Sequence, residues 1–260
     1  MYDTHMHTHF SPDSRTKPQD MVEAAIQQGL DGICITDHVE IQVYEPPIDE
    51  VFFAKEYFEQ LQQLKRKELD VLIGAEVGLQ PHVLPLCSAF TKEMPYDFII
   101  GSIHLAGKKD VYDLCQTKDP KDVLDLYYDD MEKCMEQYDD FDTLAHIDYV
   151  DRYFPVGTIL PPFSYYEEKV KRILKILIEK QKSLEINTGG LRKSTHIHHP
   201  KTQTLTLYKK LGGKLITIGS DAHTPNYVAF AFKEEMKYAK DHGFTEIQVY
   251  KQRKKVPIRI

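Results

Sequence analysis

Histidine and carboxylate side chains recur along this chain at spacings suited to holding metal ions. Residues 2–14, "YDTHMHTHFSPDS", contain Asp3, His5, His7, His9 and Asp13. Further on come Asp37 and His38 in "ITDH", Glu76 in "VLIGAEVGL", His104 in "GSIH", His146 and Asp148 in "AHID", and Asp221 and His223 in "GSDAH". Imidazole with carboxylate, and no cysteine at a comparable position, suits zinc, manganese or iron. So many donors exceed the needs of one four-coordinate ion, so at least two metals are expected. Glu76 lies within an apolar run, where a carboxylate without a partner is costly and a cation would be that partner.

These residues need a frame that brings them together. Short apolar or β-branched runs lie at about 2–6, 32–36, 71–77, 97–103, 142–147, 183–187 and 214–220. Between them are segments with helical spacing: "KPQDMVEAAIQQG", "VFFAKEYFEQLQQLKRKE", "DPKDVLDLYYDDMEKCMEQ", "SYYEEKVKRILKILIEKQK" and "NYVAFAFKEEMKYAKDHG". Pro18 suits a first turn and Gly29 a helix end. Seven strands, each followed by a helix or long loop, imply parallel pairing through right-handed crossovers. A closed α/β barrel accounts for seven units better than an open sheet. The chemical residues then fall at strand C-terminal ends, which converge on one face. Residues i and i+2 of a strand point the same way, so His5 and His7 share an aim, as do Asp221 and His223. The tail "EIQVYKQRKKVPIRI" reads as one further strand and a basic patch.

The 260 residues suit one large domain, 1–260, with no linker. A net charge of −7 argues against nucleic acid or an anionic membrane as partner. The apolar runs are too short to span a bilayer, and Asp3 and the histidines interrupt any signal-peptide pattern. Four cysteines without CxxC spacing read as reduced, buried thiols of a cytoplasmic protein. Aromatic helices such as "EYFEQL" leave a dimer open.

Together "DTHMHT" with "FSPD", "ITDH", "GAEVGL", "GSIH", "AHID" and "GSDAH" resemble the PHP (polymerase and histidinol phosphatase) superfamily, in its motif order and over nearly the whole chain. "EINTGGLRK" at 185–193 is similar to the histidinol-phosphate phosphatase branch. The resemblance implies a distorted (β/α)7 barrel with its active site at the strand C-terminal face and a trinuclear metal site. Carried over, His5, His7, Glu76 and Asp221 would hold one metal. Glu76 would bridge to a second, completed by His104 and His146. Asp13, His38 and His223 would hold the third, with Asp13 standing where many relatives have histidine. His5, His7, Glu76, Asp221 and His223 would be catalytic through the metals. Asp3 and Asp37 would accept hydrogen bonds that orient ligand imidazoles. His9 falls outside the motif and reads as a bystander.

The activity implied is metal-dependent hydrolysis of L-histidinol phosphate, a step of histidine biosynthesis. Arg192, after the "NTGGL" turn, and Arg152 are the phosphate-binding candidates, because a guanidinium offers phosphate a fork of donors. Asn187 would position the loop or substrate. His196, His198 and His199 read as solvated loop residues able to rim the pocket. Glu40, Glu45 and Asp148 are candidates for the substrate's amine and imidazole. Another phosphoesterase of the superfamily (a 3′-5′ exonuclease, or a nucleotide or phosphotyrosine phosphatase) would keep the same metals. A catalytically dead metal-binding scaffold is the competing reading of another class.

Overall fold

Seven short strands alternate with helices, and each strand's hydrogen bonds go to its neighbours in parallel. The computed structural model describes residues 1–43, 46–192 and 196–260. The strands are β1 (Tyr2–Asp3), β2 (Gly32–Ile35), β3 (Asp70–Gly78), β4 (Phe98–Ser102), β5 (Thr143–Leu144), β6 (Ser183–Asn187) and β7 (Ile216–Gly219), side by side in that order. Beyond their formal ends, β1 and β7 also meet. Thr4 N donates to Ile218 O at 3.2 Å, His7 N donates to Ala222 O at 2.8 Å, and Met6 bridges Ala222 in parallel. The sheet therefore comes round on itself as the expected seven-stranded barrel.

Strand alternation sorts side chains between two compartments. In β3, Val71, Ile73, Ala75 and Val77 face outward into the main core beneath the helices. Leu72 faces inward with Cys34, Phe98, Ile100 and Ala145. Gly74 and Glu76 continue this inward face toward the strand's C-terminal end. Gly74 has no side chain for a steric reason: a Cβ there would sit 2.6 Å from Phe98 O and 2.9 Å from Cys34 Sγ. In β6, Leu184 and Ile186 belong to the outer core, while Ser183, Glu185 and Asn187 alternate with them and are fully buried. The barrel's interior thus grades from apolar at the strand starts to ionisable at the strand ends.

Helices at Pro18–Gln27, Ala54–Gln62, Pro120–Gln137 and Glu167–Glu179 lie within the segments that periodicity marks. Gly29 ends the first with φ of +68°, a conformation glycine adopts without penalty. Asp119 caps Pro120–Gln137 by accepting from Lys121 N at 2.9 Å. Leu84–Phe90, Val111–Thr117 and Thr202–Lys210 are additional helices. The last helix starts only at Phe232, because Ala229 and Ala231 take positive φ and break the pattern before it. The aromatics of "EYFEQL" turn inward: Tyr57 is fully buried and donates from its hydroxyl to Ile35 O and Gly74 O. Phe58, next to Tyr57, is half-buried against the core, and Phe53 just before the helix is exposed.

The tail is a correction to the sequence reading. It forms a two-stranded antiparallel hairpin, Glu246–Lys251 with Lys254–Arg259. Val249 and Tyr250 enter the inner apolar cluster, with Tyr250 stacked on Phe98 at 5.1 Å between ring centroids. The hairpin stoppers the end of the barrel where the strands begin. Among the described residues, no helix is long and apolar enough to cross a membrane.

Candidate metal and phosphate site

At the opposite end, residues separated by more than two hundred positions meet. His5 and His7 leave β1, with their Nε2 atoms 3.1 Å apart. Asp221 follows β7, its Oδ1 3.4 Å from His7 Nε2 and 3.9 Å from His5 Nε2. Glu76 Oε2 lies 3.3 Å and 3.5 Å from the same two nitrogens. The other oxygen of Glu76, Oε1, faces His146 Nε2 at 3.1 Å and His104 Nε2 at 3.5 Å. Each oxygen of one buried carboxylate therefore serves a separate imidazole group. A third group gathers at the rim: Asp13 Oδ2 is 2.9 Å from His223 Nε2 and 3.6 Å from His38 Nε2.

The donor set fits metal ions. Around His5, His7, Glu76 and Asp221 the donor atoms stand 3.1–3.9 Å apart. A tetrahedron with bonds of about 2.1 Å has edges of about 3.4 Å. Glu76 Oε2 and His38 Nδ1 are buried and 2.9 Å apart, yet neither has a hydrogen-bond partner among the described residues. Groups so placed face a common point better than they face each other. The compact donor groups include His5, His7 and Asp221, and Glu76, His104 and His146.

Without cations, protons must relieve the crowding. Burial raises the pKa of Glu76, but His5, His104 and His38 outweigh it and hold the carboxyl well below its usual range. Burial likewise opposes ionisation of Asp221, which His7 and His5 overcome. In return Glu185 and Glu76 raise His5 against the effect of burial. Burial also lowers the pKa of His104, but Glu40 and Glu76 push it up to about 9. His7 moves the other way, lowered by burial and by His38 and His223.

The side chains that orient these imidazoles differ from those expected. Asp3 accepts backbone N–H groups of Ser220 and Ala229 at 2.9 Å and 2.8 Å, so it ties β1 to the β7 loop and touches no ring. Asp37 acts at one remove, accepting from Ser11 Oγ at 2.7 Å, which in turn meets His7 Nδ1 at 3.1 Å. Glu185 meets His5 Nδ1 at 2.6 Å and accepts from His146 N at 3.1 Å. Sequence reasoning passed over Glu185, although its placement in "SLEIN" is the signal that marked Glu76. Gly219 makes room for this pair: a Cβ there would lie 2.3 Å from His5 Cβ and 2.7 Å from Glu185 Oε1.

Glu40 orients a ring as well, while lining a cavity with Asp13, His38, His104 and Tyr149. Beyond β2 the chain re-forms a strand, His38–Val43, with His38 opposite Glu76. His38 and Glu40 thereby share a face, and Glu40 Oε1 meets His104 Nδ1 at 2.5 Å. Asp148 is buried against His199 and is removed from the rim. Glu45 lies outside the described residues, as does Lys193 of the "EINTGGLRK" stretch. Asn187 is fully buried, donating to Glu185 Oε2 at 3.0 Å and accepting from Gly189 N at 2.9 Å. Its amide ties β6 to the start of the loop that carries Arg192. His9 is exposed beside Phe10 and His196 is exposed, whereas His199 is fully buried.

Both arginines reach the site. A cavity of about 380 Å³ opens over the histidines, walled by Tyr149, Arg152, Tyr153, Arg192 and Tyr227. Arg152 lies 4.1 Å over the Tyr149 ring, with Nη2 3.6 Å from Asp221 Oδ2. Arg192 donates from Nη2 to Asp221 O at 2.8 Å. Arg152 Nε and Arg192 Nη1 are buried without partners among the described residues. Two guanidinium groups with unspent donors beside a cation-ready cluster form a site for a polyanionic group such as phosphate.

The chain is similar to known proteins in sequence and in fold. The PHP domain model matches residues 3–189. The chain is 31% identical over 259 residues to the histidinol-phosphatase of Lactococcus lactis subsp. lactis, covering 95% of this chain and 93% of that protein. It is 30% identical over 245 residues to the probable histidinol-phosphatase of Clostridium acetobutylicum, covering 93% of each. A crystal structure of histidinol phosphate phosphatase from Lactococcus lactis, complexed with zinc, L-histidinol and phosphate, matches with a TM-score of 0.90 at 29% identity over 98% of both chains. The putative histidinol phosphatase of Listeria monocytogenes shares the fold, with a TM-score of 0.77 at 19% identity over 90% of this chain and 99% of that one.

Proposed function

The chain belongs to the PHP domain family, and from that premise we propose that it is a histidinol-phosphatase, a hydrolase that converts L-histidinol phosphate to L-histidinol and phosphate. The observation that carries this reading is the meeting, in one cavity, of the Glu76-centred donor cluster with two arginines that each bury one N–H-bearing nitrogen without a partner among the described residues. Hydrolysis replaces the ester P–O bond by one to the oxygen of water. In this reading His5, His7, Glu76 and Asp221 hold one metal, Glu76, His104 and His146 a second, and Asp13, His38 and His223 a third. Cations bound there would supply a hydroxide source near neutral pH and would offset charge on the phosphoryl oxygens. Arg152 and Arg192, which wall the same cavity, would hold those oxygens and orient the phosphoryl group for attack. Tyr149 and Tyr153 wall the cavity beside Arg152 and limit access of bulk water. Glu185, Glu40 and Ser11 set the tautomers of His5, His104 and His7, so that Nε2 of each ring faces the cluster.

Residues 1–260 act as one catalytic domain in this reading, since β7 completes the barrel that β1 begins and the tail stoppers it. The four free cysteines are buried, in keeping with a reducing, cytoplasmic setting. The test pairs metal analysis of the purified protein with phosphate release from L-histidinol phosphate, an oligonucleotide and phosphotyrosine. The expected result is about two to three metals per chain and preference for L-histidinol phosphate. Equal or faster turnover of the oligonucleotide or phosphotyrosine would overturn the substrate assignment.

A further inference from the structure

Four ionisable groups behind the arginines take no part in the chemistry above. Asp148 and His199 are fully buried and meet through Oδ1 and Nδ1 at 2.6 Å. The other Asp148 oxygen accepts from Lys201 N at 2.6 Å. The ammonium of Lys201 pairs with Asp151 and donates to the Tyr166 hydroxyl at 2.7 Å. Leaving one member of such a buried set alone costs several kcal/mol, so the set holds its members in a single arrangement.

What it joins is informative. Asp148 and Asp151 lie on the loop after β5, where the short helical turn Tyr149–Arg152 ends in Arg152. His199 and Lys201 lie on the return of the loop after β6, which carries Arg192. That return is pinned to β6 as well, with Asn187 N donating to His199 O at 2.7 Å. The turn Thr188–Arg192 closes around this arrangement through its two glycines. A Cβ on Gly190 would lie 2.3 Å from the His199 ring, and one on Gly189 would lie 2.9 Å from Arg192 Nη2. The two phosphate-facing arginines thus stand on separate loops that meet through these buried pairs.

We infer that the Asp148–His199 and Lys201–Asp151 pairs form a positioning clamp that sets the spacing between Arg152 and Arg192 and thereby the site's affinity for a phosphoryl group. The clamp rests on the phosphatase reading for its ligand, but inorganic phosphate probes it directly. His199→Leu removes the donor to Asp148. The expected result is about a tenfold rise in both the KM for a phosphomonoester and the inhibition constant of inorganic phosphate, since misplacing a binding group by about an ångström has effects of this order or larger. The turnover number falls much less, and metal content stays at the wild-type level. His199→Asn, which keeps a donor near the Nδ1 position, restores most of the affinity. In an Arg192→Gln background the His199→Leu penalty shrinks, because the clamp acts through the arginine.

An unchanged inhibition constant for phosphate, an equal penalty with and without Arg192, or a loss explained by missing metal would each overturn the clamp. If His199→Leu does not fold, His199→Gln carries the same expectation and the same refutation, because it keeps the polarity but displaces the donor. All variants are compared on an aryl phosphate as well. Failure to hydrolyse L-histidinol phosphate while phosphate still inhibits aryl phosphate hydrolysis would sink the proposed substrate and leave the clamp standing.

Discussion

At the strand-start end of the barrel, Asp142 accepts from Ile99 N at 2.8 Å and from Arg253 Nε at 2.5 Å. Asp97 accepts from Ile73 N at 3.1 Å and Gln252 N at 2.9 Å, and Asp70 pairs with Lys251 and Tyr2. At the strand-finish end, Glu76 and Asp221 are surrounded by imidazoles, and several buried donor and acceptor atoms lack partners among the described residues. Both ends bury carboxylates within one sheet. The first is electrostatically complete, because the C-terminal hairpin brings its own cations and backbone donors. The second is complete only with something added, and that incompleteness is what a catalytic end requires. The same protein can spend ion pairs on closure at one end and withhold them at the other because strand polarity keeps the two sets apart.

The contrast can be broken by exchanging which end fails. Glu76→Ala should abolish metal retention at two groups and lower phosphatase activity by more than about 10³-fold. Several kcal/mol of charge stabilisation depend on the site, and about 1.4 kcal/mol is a factor of ten. Full activity in that variant would refute the assignment. Arg253→Ala should do the reverse. It leaves Asp142 and Asp140 without their guanidinium partner and costs about 2–4 kcal/mol of stability by denaturant unfolding, at unchanged metal content. Lost activity in the folded variant would show that the two ends are coupled. Arg192→Gln should raise KM roughly 10–100-fold, the scale of a charged hydrogen bond worth about 1.5–3 kcal/mol, with metal content intact.

Smaller changes sharpen the comparison. Glu185→Gln should weaken metal retention against a chelator by about 10–100-fold, as loss of an orienting carboxylate does elsewhere. Retention equal to wild type would show that His5 is held by packing alone. The smallest effect is on pH dependence. In metal-stripped protein the His104 pKa is raised from 6.5 to about 9, so its protonation stabilises the fold fully below 6.5 and that contribution is lost as pH rises through about 9. Thermal unfolding should therefore show stability falling across that window by at most about 1.4 kcal/mol per pH unit. Metal-loaded protein should lack this trend, since bound cations exclude the proton. An identical pH profile for the two forms would contradict the site.

Much of the chemical end was legible because its residues sit in short motifs at strand ends. His5, His7, Glu76, His104, His146, Asp221 and His223 needed only the strand count and the rule that parallel strands converge. Glu185 was equally visible in principle, as an ionisable residue alternating with Leu184 and Ile186, but no motif drew attention to it. The contact of Glu40 with His104 is not legible, because the strand after His38 continues to Val43 and a run with a charged residue at its centre does not announce a buried face. The sequence leaves Asn187 open between loop and substrate, and leaves Asp148 as one of three acidic candidates for the substrate, because a buried partner is not a local feature. Asn187 meets Glu185 two residues back on the same strand, whereas the partner of Asp148, His199, lies far along the chain. The tail gave no sign of being a stopper, since Gln252 and Arg253 form its tight turn with positive φ where asparagine or glycine is the usual marker.

The sequence by itself determined the donor types, their order and the alternating elements, because periodicity and side-chain chemistry are local properties. It thereby determined that a metal-assisted reaction on an anionic substrate was the economical reading. Only the tertiary structure decided which oxygen of Glu76 faces which imidazoles, which carboxylates orient rings and which tie backbone, and that two arginines from separate loops stand over one cavity. Those outcomes depend on distances of a few ångströms between residues as far apart in the chain as His5 and Asp221. Burial at such a meeting point decides whether a carboxylate is a partner, a scaffold or an orphan, and no local pattern encodes it.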